Sequence, residues 1–78
     1  MKNIRFIRLR EKLGLTQEEL AKELEISQSM VARIENGDRD PSKGVKIRAA
    51  NLFKVSIGWL FYGDDNSLQS YNETRQAG

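Results

Sequence analysis

The sequence predicts an all-α fold made of short helices. Its apolar residues recur every three or four positions, the period at which side chains share one face of a helix. Serine or threonine stands before most of the predicted helices, and glycine follows several of them, as expected of residues that start and stop helices. The 78 residues allow one domain with a small core.

The first helix is predicted from Met1 to Leu13 and ends at Gly14. Phe6, Leu9 and Leu13 fall on one side of it at helical spacing. This side is therefore expected to face the core.

Residues 17–36 are predicted to form the two helices around which the chain is organised. Thr16 precedes the first with Glu19 three residues later, which is a capping-box pattern, and Ser27 precedes the second. Ala21 is small enough to let two helices cross closely over a short turn. The inward residues of the pair are Leu20, Ala21, Leu24, Ile26, Val31 and Ile34.

Two further helices complete the predicted domain. The fourth is expected at Ser42–Phe53, after a loop in which Pro41 is preset for the turn. Its core face consists of Val45, Ala49, Leu52 and Phe53, with Lys46 laying its aliphatic stem along the core. The fifth starts at Val55-Ser56, runs to Tyr62 and ends at Gly63.

A polar strip lies on the outer face of the third predicted helix. With the inner face assigned, the outward residues are Gln28, Ser29, Ala32 and Arg33. Gln can bind adenine and Arg can bind guanine through two hydrogen bonds, Ser can bond several base edges, and Ala can pack on a thymine methyl. Such a strip is more often simply solvated, but the helix and turn before it favour base reading.

The run from Leu13 to Pro41 resembles the phage-repressor/Cro-type, or XRE-type, helix-turn-helix family. The resemblance is carried by Leu-Gly-Leu-Thr-Gln at 13–17, Leu-Ala at 20–21, Ile-Ser at 26–27 and Ile-Glu-Asn-Gly at 34–37. More weakly, it extends from Phe6 to Gly63. It implies a compact five-helix, lambda-repressor-like DNA-binding domain whose third helix enters the major groove of operator DNA, usually as a homodimer.

The resemblance also assigns roles to single residues. Arg10 is expected to form a structural ion pair with Glu35, which would hold the first helix to the third. The expected phosphate contacts are Gln17, Ser27, Asn36, Arg39 and Lys43. In the family, the glutamine at position 17 also braces the first polar residue of the third helix. Asp38 and Asp40 weaken the loop contacts because they repel phosphate, and they can instead pair with Arg39.

The fifth helix carries more apolar surface than one face of a short helix can hide. We therefore expect a dimer interface that includes Ile57, Phe61 and Tyr62. The alternative is that Trp59 and Leu60 belong to the core and the other apolar residues are scattered on the surface. Residues 64–78 read as a polar tail, either flexible or a short segment that extends the dimer. The DNA-binding domain is thus predicted at residues 1–63.

Composition excludes several classes of protein. The chain has no Cys and no His, which rules out disulfides and zinc fingers and removes the commonest catalytic base. Residues 1–63 hold 12 Lys and Arg against eight Asp and Glu, so the positive charge lies in the predicted domain, as phosphate binding requires. With no long apolar run, the chain is expected in the cytoplasm and away from membranes.

The favoured hypothesis is a sequence-specific transcriptional regulator, either of the phage or prophage type or a restriction–modification controller or chromosomal regulator. It would act as a repressor that binds double-stranded DNA at a palindromic operator as a homodimer, without a cofactor. The alternative is an antitoxin-like or other regulator that binds a protein partner through the apolar fifth helix. An enzyme is not expected, because no set of residues supplies a nucleophile with its base or a metal site.

Overall fold

The computed structural model describes residues 1–63, and the prediction for residues 64–78 lies outside them. The described part of the chain forms five helices and no strand, so the predicted all-α class is confirmed. They are α1 Ile4–Lys12, α2 Gln17–Leu24, α3 Gln28–Asn36, α4 Lys43–Phe53 and α5 Ile57–Tyr62.

Each helix begins after a polar side chain that accepts a hydrogen bond from a backbone N–H of the first turn. These caps are Asn3, Thr16, Ser27, Ser42 and Ser56. The capping box at the start of α2 is complete, because Glu19 also accepts from the backbone N–H of Thr16 at 2.9 Å. Caps of this kind stabilise a helix by about 1 kcal/mol each, which matters for helices of six to eleven residues.

The prediction for the first helix was wrong at both ends. The helix begins at Ile4 because Asn3 caps it, so Met1 to Asn3 lie outside the helix. Leu13, which caps the C-terminal end of α1, is 50% exposed instead of buried, and the chain then turns through Gly14 at a φ of +72°. Leu15, beyond the turn, packs against the core in its place.

The core draws side chains from all five helices. Its fully buried members include Phe6 from α1, Leu20 and Leu24 from α2, Val31 from α3 and Leu60 from α5. The largest, Phe6, meets Phe53 of α4 edge to face, with ring centroids 5.6 Å apart. One shared core therefore fixes the position of α2 and α3 relative to the other three helices.

Gly14, in the turn after α1, is in the left-handed conformation, and one left-handed residue also follows each of the next three helices. The residues are Glu25 after α2, Gly37 after α3 and Lys54 after α4. Glu25 and Lys54 carry side chains at φ values of 61° and 60°, where glycine is the less strained residue. The turn from α2 to α3 and the turn from α4 to α5 are thus each made by a residue under backbone strain.

Candidate nucleic-acid interface

The α2–α3 pair has the geometry of a helix-turn-helix. Ala21 is 3% exposed and lies where α2 packs against α3. In the turn, the backbone N–H of Ile26 donates to the carbonyl of Ala21 at 3.0 Å, and Ser27 then caps α3. Because both helices bury their apolar side in the common core, the outer side of α3 is left free for a partner.

The predicted base-reading residues lie on this outer side of α3. Gln28, Ser29 and Arg33 are exposed, and Ala32 is half-buried. Val31 and Ile34 are buried on the opposite side, at 0% and 2% exposure. The outer face of α3 therefore presents two long side chains that can form hydrogen bonds: the Gln28 amide, which donates and accepts, and the Arg33 guanidinium, which only donates.

A chain of hydrogen bonds holds the first of these residues. Gln28 Nε2 donates to Gln17 Oε1 at 2.7 Å, and Gln17 Nε2 donates to Glu35 Oε1 at 2.9 Å. An ionised carboxylate only accepts, so it requires the nitrogen of Gln17 to face it and leaves the oxygen of Gln17 for Gln28. The Gln28 amide consequently keeps its oxygen and one N–H for a ligand, and these are the two groups that adenine pairs with in the major groove.

The structure brings Arg10 and Glu35 together at the inner end of this chain. Arg10 Nε lies 2.5 Å from Glu35 Oε2, and Arg10 also donates to the carbonyl of Leu15 at 2.8 Å. The two side chains are 15% and 5% exposed, so most of the pair is removed from water. Arg10 thereby fixes the carboxylate that orients Gln17, and it links α1 to both α2 and α3.

The residues predicted to bind phosphate are spread over three segments. Gln17 is half-buried at the start of α2, and Ser27 is exposed at the start of α3, where its Oγ accepts from the backbone N–H of Met30 at 3.1 Å. Asn36, Arg39 and Lys43 are all exposed, at the end of α3, in the loop and at the start of α4. Within residues 1–63, no hydrogen bond or ion pair joins these last three residues to one another.

Within residues 1–63, no ion pair joins Arg39 to either of the two aspartates that could pair with it, Asp38 and Asp40. Asp40 Oδ1 lies 3.0 Å from Lys46 Nζ instead, and the same ammonium donates to the Tyr62 hydroxyl at 2.6 Å. The hydrogen bond to Tyr62, together with the Asp40 carboxylate, raises the pKa of Lys46. Sequence reasoning assigned Lys46 only an aliphatic contact, because its two polar partners come from a loop and from a different helix.

Two other positioning contacts escaped sequence reasoning for the same reason. The side chain of Asn3 donates to the carbonyl of Leu60 at 3.0 Å, while its backbone N–H donates to the carbonyl of Glu35 at 2.9 Å. Arg48 of α4 donates from Nε to the carbonyl of Leu24 at 2.9 Å, at the end of α2. A basic side chain at a helix end also compensates the negative end of the helix dipole. In the sequence, the only local indication of these contacts is the polar residue Asn3 before α1.

The residues predicted for a dimer interface differ in exposure. Ile57 and Phe61 are half-buried, and the Phe61 ring lies 6.1 Å from that of Phe6. Tyr62 is 65% exposed, apart from the contact of its hydroxyl with Lys46. Leu60 belongs to the core at 1% exposure. The dimer interface therefore stays a prediction, and Tyr62 is its most accessible member.

None of the helices in residues 1–63 is both long and apolar enough to cross a lipid bilayer.

Comparison with known proteins agrees with this geometry. The family model described as helix-turn-helix matches residues 6–60. An uncharacterized HTH-type transcriptional regulator of Archaeoglobus fulgidus is 37% identical over 59 residues, which cover 76% of this chain and 84% of that protein. The uncharacterized HTH-type transcriptional regulator MJ0272 of Methanocaldococcus jannaschii is 40% identical over 53 residues, covering 68% of this chain and 80% of the relative.

A third relative is longer. The HTH-type transcriptional regulator ImmR of Bacillus subtilis is 35% identical over 65 residues, which cover 83% of this chain but half of ImmR. No solved structure gives a significant match. The family model covers most of the chain, and two of the relatives are covered over more than two thirds of their length. This chain therefore belongs to the XRE-type helix-turn-helix family, a family of DNA-binding transcriptional regulators.

Proposed function

We propose that this protein is a sequence-specific transcriptional repressor that binds a palindromic operator as a homodimer. The observation that carries the proposal is the hydrogen-bond chain from Gln28 through Gln17 to Glu35. It gives Gln28 a fixed orientation on the exposed side of α3 before any ligand is bound. A side chain oriented in advance loses less conformational entropy on binding than a freely rotating one.

In this proposal α3 enters the major groove and reads base edges. Gln28 binds adenine through its remaining oxygen and N–H, and Arg33 binds guanine through its guanidinium. Ser29 bonds a neighbouring edge, and Ala32 packs on a thymine methyl group.

The phosphate contacts flank this reading face. The N–H groups at the starts of α2 and α3 favour an anion, and Gln17 and Ser27 stand at these two positions. Asn36, Arg39 and Lys43 extend the contact along the backbone beyond the end of α3. Contacts of this kind set the register of the protein on DNA but carry no base preference of their own.

The proposed dimer is formed through α5, where Ile57, Phe61 and Tyr62 provide partly exposed apolar surface. Two copies related by a twofold axis would present their α3 helices to successive major grooves about 34 Å apart. A dimer bound at an operator that overlaps a promoter blocks access to that promoter, which is the basis for the repressor assignment. The relatives named as transcriptional regulators support a regulatory role in general.

Selection of bound sequences from a random duplex library, with the mass of the complex measured in parallel, tests this function. We expect an enriched palindrome bound by two chains, with an adenine in each half-site that Gln28→Ala no longer selects. Ser29 is the neighbouring exposed residue, so Ser29→Ala is the matched control and should retain that adenine. Absence of any enriched motif would overturn the proposal.

A second function is favoured by the exposed Tyr62 at the end of α5. A regulator of antitoxin type would use this surface to bind a different protein. Affinity purification would then recover a non-identical partner in a fixed ratio, and Tyr62→Ala would release it. A homodimer that persists in the purified protein and uses the same residue would contradict this second function.

A further inference from the structure

A lysine on α4 joins the loop after α3 to the last helix. Lys46 Nζ lies 3.0 Å from Asp40 Oδ1 and donates to the Tyr62 hydroxyl at 2.6 Å. It also lies 4.9 Å from the centre of the Tyr62 ring and 5.9 Å from that of Phe61, within the range of cation–π attraction. The Lys46 side chain is 11% exposed, so α5 fixes the position of its ammonium group.

The loop that Lys46 contacts is the one proposed to run along the DNA backbone. Asp40 stands between Arg39 and Lys43, and its side chain is 78% exposed. An unpaired carboxylate between two phosphate-binding cations would repel the phosphates they bind. Asp38, two residues earlier in the same loop, is exposed and has no ion pair within residues 1–63. The loop thus contains one neutralised aspartate and one aspartate without such a partner.

We propose that Lys46 is a positioning residue for the contact with the DNA backbone. Its ammonium neutralises Asp40 and holds that carboxylate on the α5 side of the loop, so that Arg39 and Lys43 face phosphate without an opposing charge between them. Lys46 itself does not touch DNA in this arrangement. The inference rests on the proposed DNA-binding function and adds a residue that neither composition nor the family resemblance assigns to it.

The two aspartates provide a matched test that leaves the core untouched. Binding to a duplex without an operator is measured for Asp38→Asn and Asp40→Asn at several salt concentrations. Asp38→Asn should raise the affinity about threefold at low salt, because it removes a free negative charge near phosphate. Asp40→Asn should change it by less than about 1.5-fold, because Lys46 holds that carboxylate on the α5 side of the loop, farther from the phosphates than the Asp38 carboxylate. Equal gains from the two variants would overturn the proposal.

Removing the lysine should make the second aspartate behave like the first. In the Lys46→Met background, Asp40→Asn should raise the affinity about threefold, as Asp38→Asn does in the natural chain. A loss of charge alone would give the same effect of Asp40→Asn in both backgrounds, so the difference between backgrounds is the diagnostic quantity. Lys22→Met removes the same charge from an exposed site on α2 and should leave the effect of Asp40→Asn unchanged.

Failure of this proposal can be told from failure of the proposed function. If the natural chain shows no salt-dependent binding to any duplex, the DNA-binding function itself is contradicted and the Lys46 proposal falls with it. If the natural chain binds DNA but Asp40→Asn has the same effect with and without Lys46, only the positioning role is contradicted. Circular dichroism tests whether Lys46→Met folds. If it does not fold, the comparison of Asp38→Asn with Asp40→Asn in the natural chain still tests the proposal.

Discussion

Two ion pairs among residues 1–63, Arg10–Glu35 beneath the outer face of α3 and Lys46–Asp40 beside the following loop, differ in how much water reaches them. In the Arg10–Glu35 pair the side chains are 15% and 5% exposed, whereas in the Lys46–Asp40 pair they are 11% and 78% exposed. The buried pair joins residues 25 positions apart, whereas the exposed pair joins a loop residue to a residue of α4 six positions later. Arg10 faces both carboxylate oxygens of Glu35, whereas Lys46 contacts one oxygen of Asp40. The consequence of losing one partner also differs, because Asp40 can be solvated by water and Glu35 cannot.

This difference separates two uses of charge. The buried pair joins α1 to α3 and, through Gln17, orients Gln28, so its effect is on structure and on the proposed base reading. Asp40 of the exposed pair lies in a loop whose backbone is held by buried Pro41 and by Ser42, the cap of α4. Losing this pair should therefore change the electric field near the loop more than the structure. Stability measurements should therefore detect the first pair, and salt-dependent DNA binding should detect the second.

The largest expected effect is that of Arg10→Met on stability. Removing the guanidinium strands the Glu35 carboxylate at 4% exposure, at a cost of about 3–5 kcal/mol in the free energy of unfolding. In a domain of this size such a loss corresponds to a fall in Tm of more than about 12 °C. Thermal unfolding followed by circular dichroism measures it.

Two controls make that measurement specific. Arg8→Met changes an exposed residue of the same helix and should move Tm by only about 2 °C. Lys46→Met should cost less than about 1 kcal/mol, because the partner it leaves behind is mostly solvated. An unchanged Tm for Arg10→Met would mean that the buried pair contributes nothing to the fold.

The sequence predicted the α2–α3 pair well, because the residues that mark the starts and the inner faces of these two helices lie within them or next to them. Thr16, Glu19 and Ser27 mark helix starts within a few residues of the helices they cap, and the inward apolar residues follow one period. The positions of Gln28 and Arg33 on the outer face follow directly from that period. The Arg10–Glu35 pair was expected only through the family resemblance, because no local rule joins residues 25 positions apart.

The contacts outside the α2–α3 pair were harder to predict for a physical reason. The contacts of Lys46, Arg48 and Asn3 are made with loops, backbone carbonyls or other helices, and so depend on how the helices pack. Leu13 was misassigned because an apolar residue at helical spacing is buried only where another element packs over it. Periodicity assigns faces within an element, while the ends of elements and the contacts between them follow from tertiary packing.

A smaller effect should separate base reading from phosphate binding. Arg33→Ala should reduce discrimination at one or two base pairs of the operator by about 1–3 kcal/mol, because it removes a bidentate contact. Lys43→Gln should weaken binding to operator and non-operator DNA by the same factor and lower the salt dependence by about one unit of slope. Competition binding with single-base operator variants measures both, and an unchanged base preference in Arg33→Ala would remove it from the reading face.

The smallest effects compare the two strained turns directly. Glu25 follows α2 at a φ of 61°, and Lys54 follows α4 at 60°, so Glu25→Gly and Lys54→Gly should relieve the same backbone strain. Each should stabilise the domain by about 0.5–1 kcal/mol, since the relief exceeds the extra entropy that glycine gives the unfolded chain. Tm should rise by about 2–6 °C in each variant.

Gly14 supplies the reverse control for these two substitutions. It has a φ of +72°, and a Cβ added there would meet no atom within 4 Å, so Gly14→Ala measures backbone strain without a steric clash. It should destabilise the domain by about 1 kcal/mol. If Lys54→Gly raises Tm by the amount that Gly14→Ala predicts but Glu25→Gly does not, the Glu25 side chain must itself stabilise the turn between α2 and α3. The Glu25 side chain would then offset the backbone strain between α2 and α3, whereas the strain at Lys54, between α4 and α5, would not be offset.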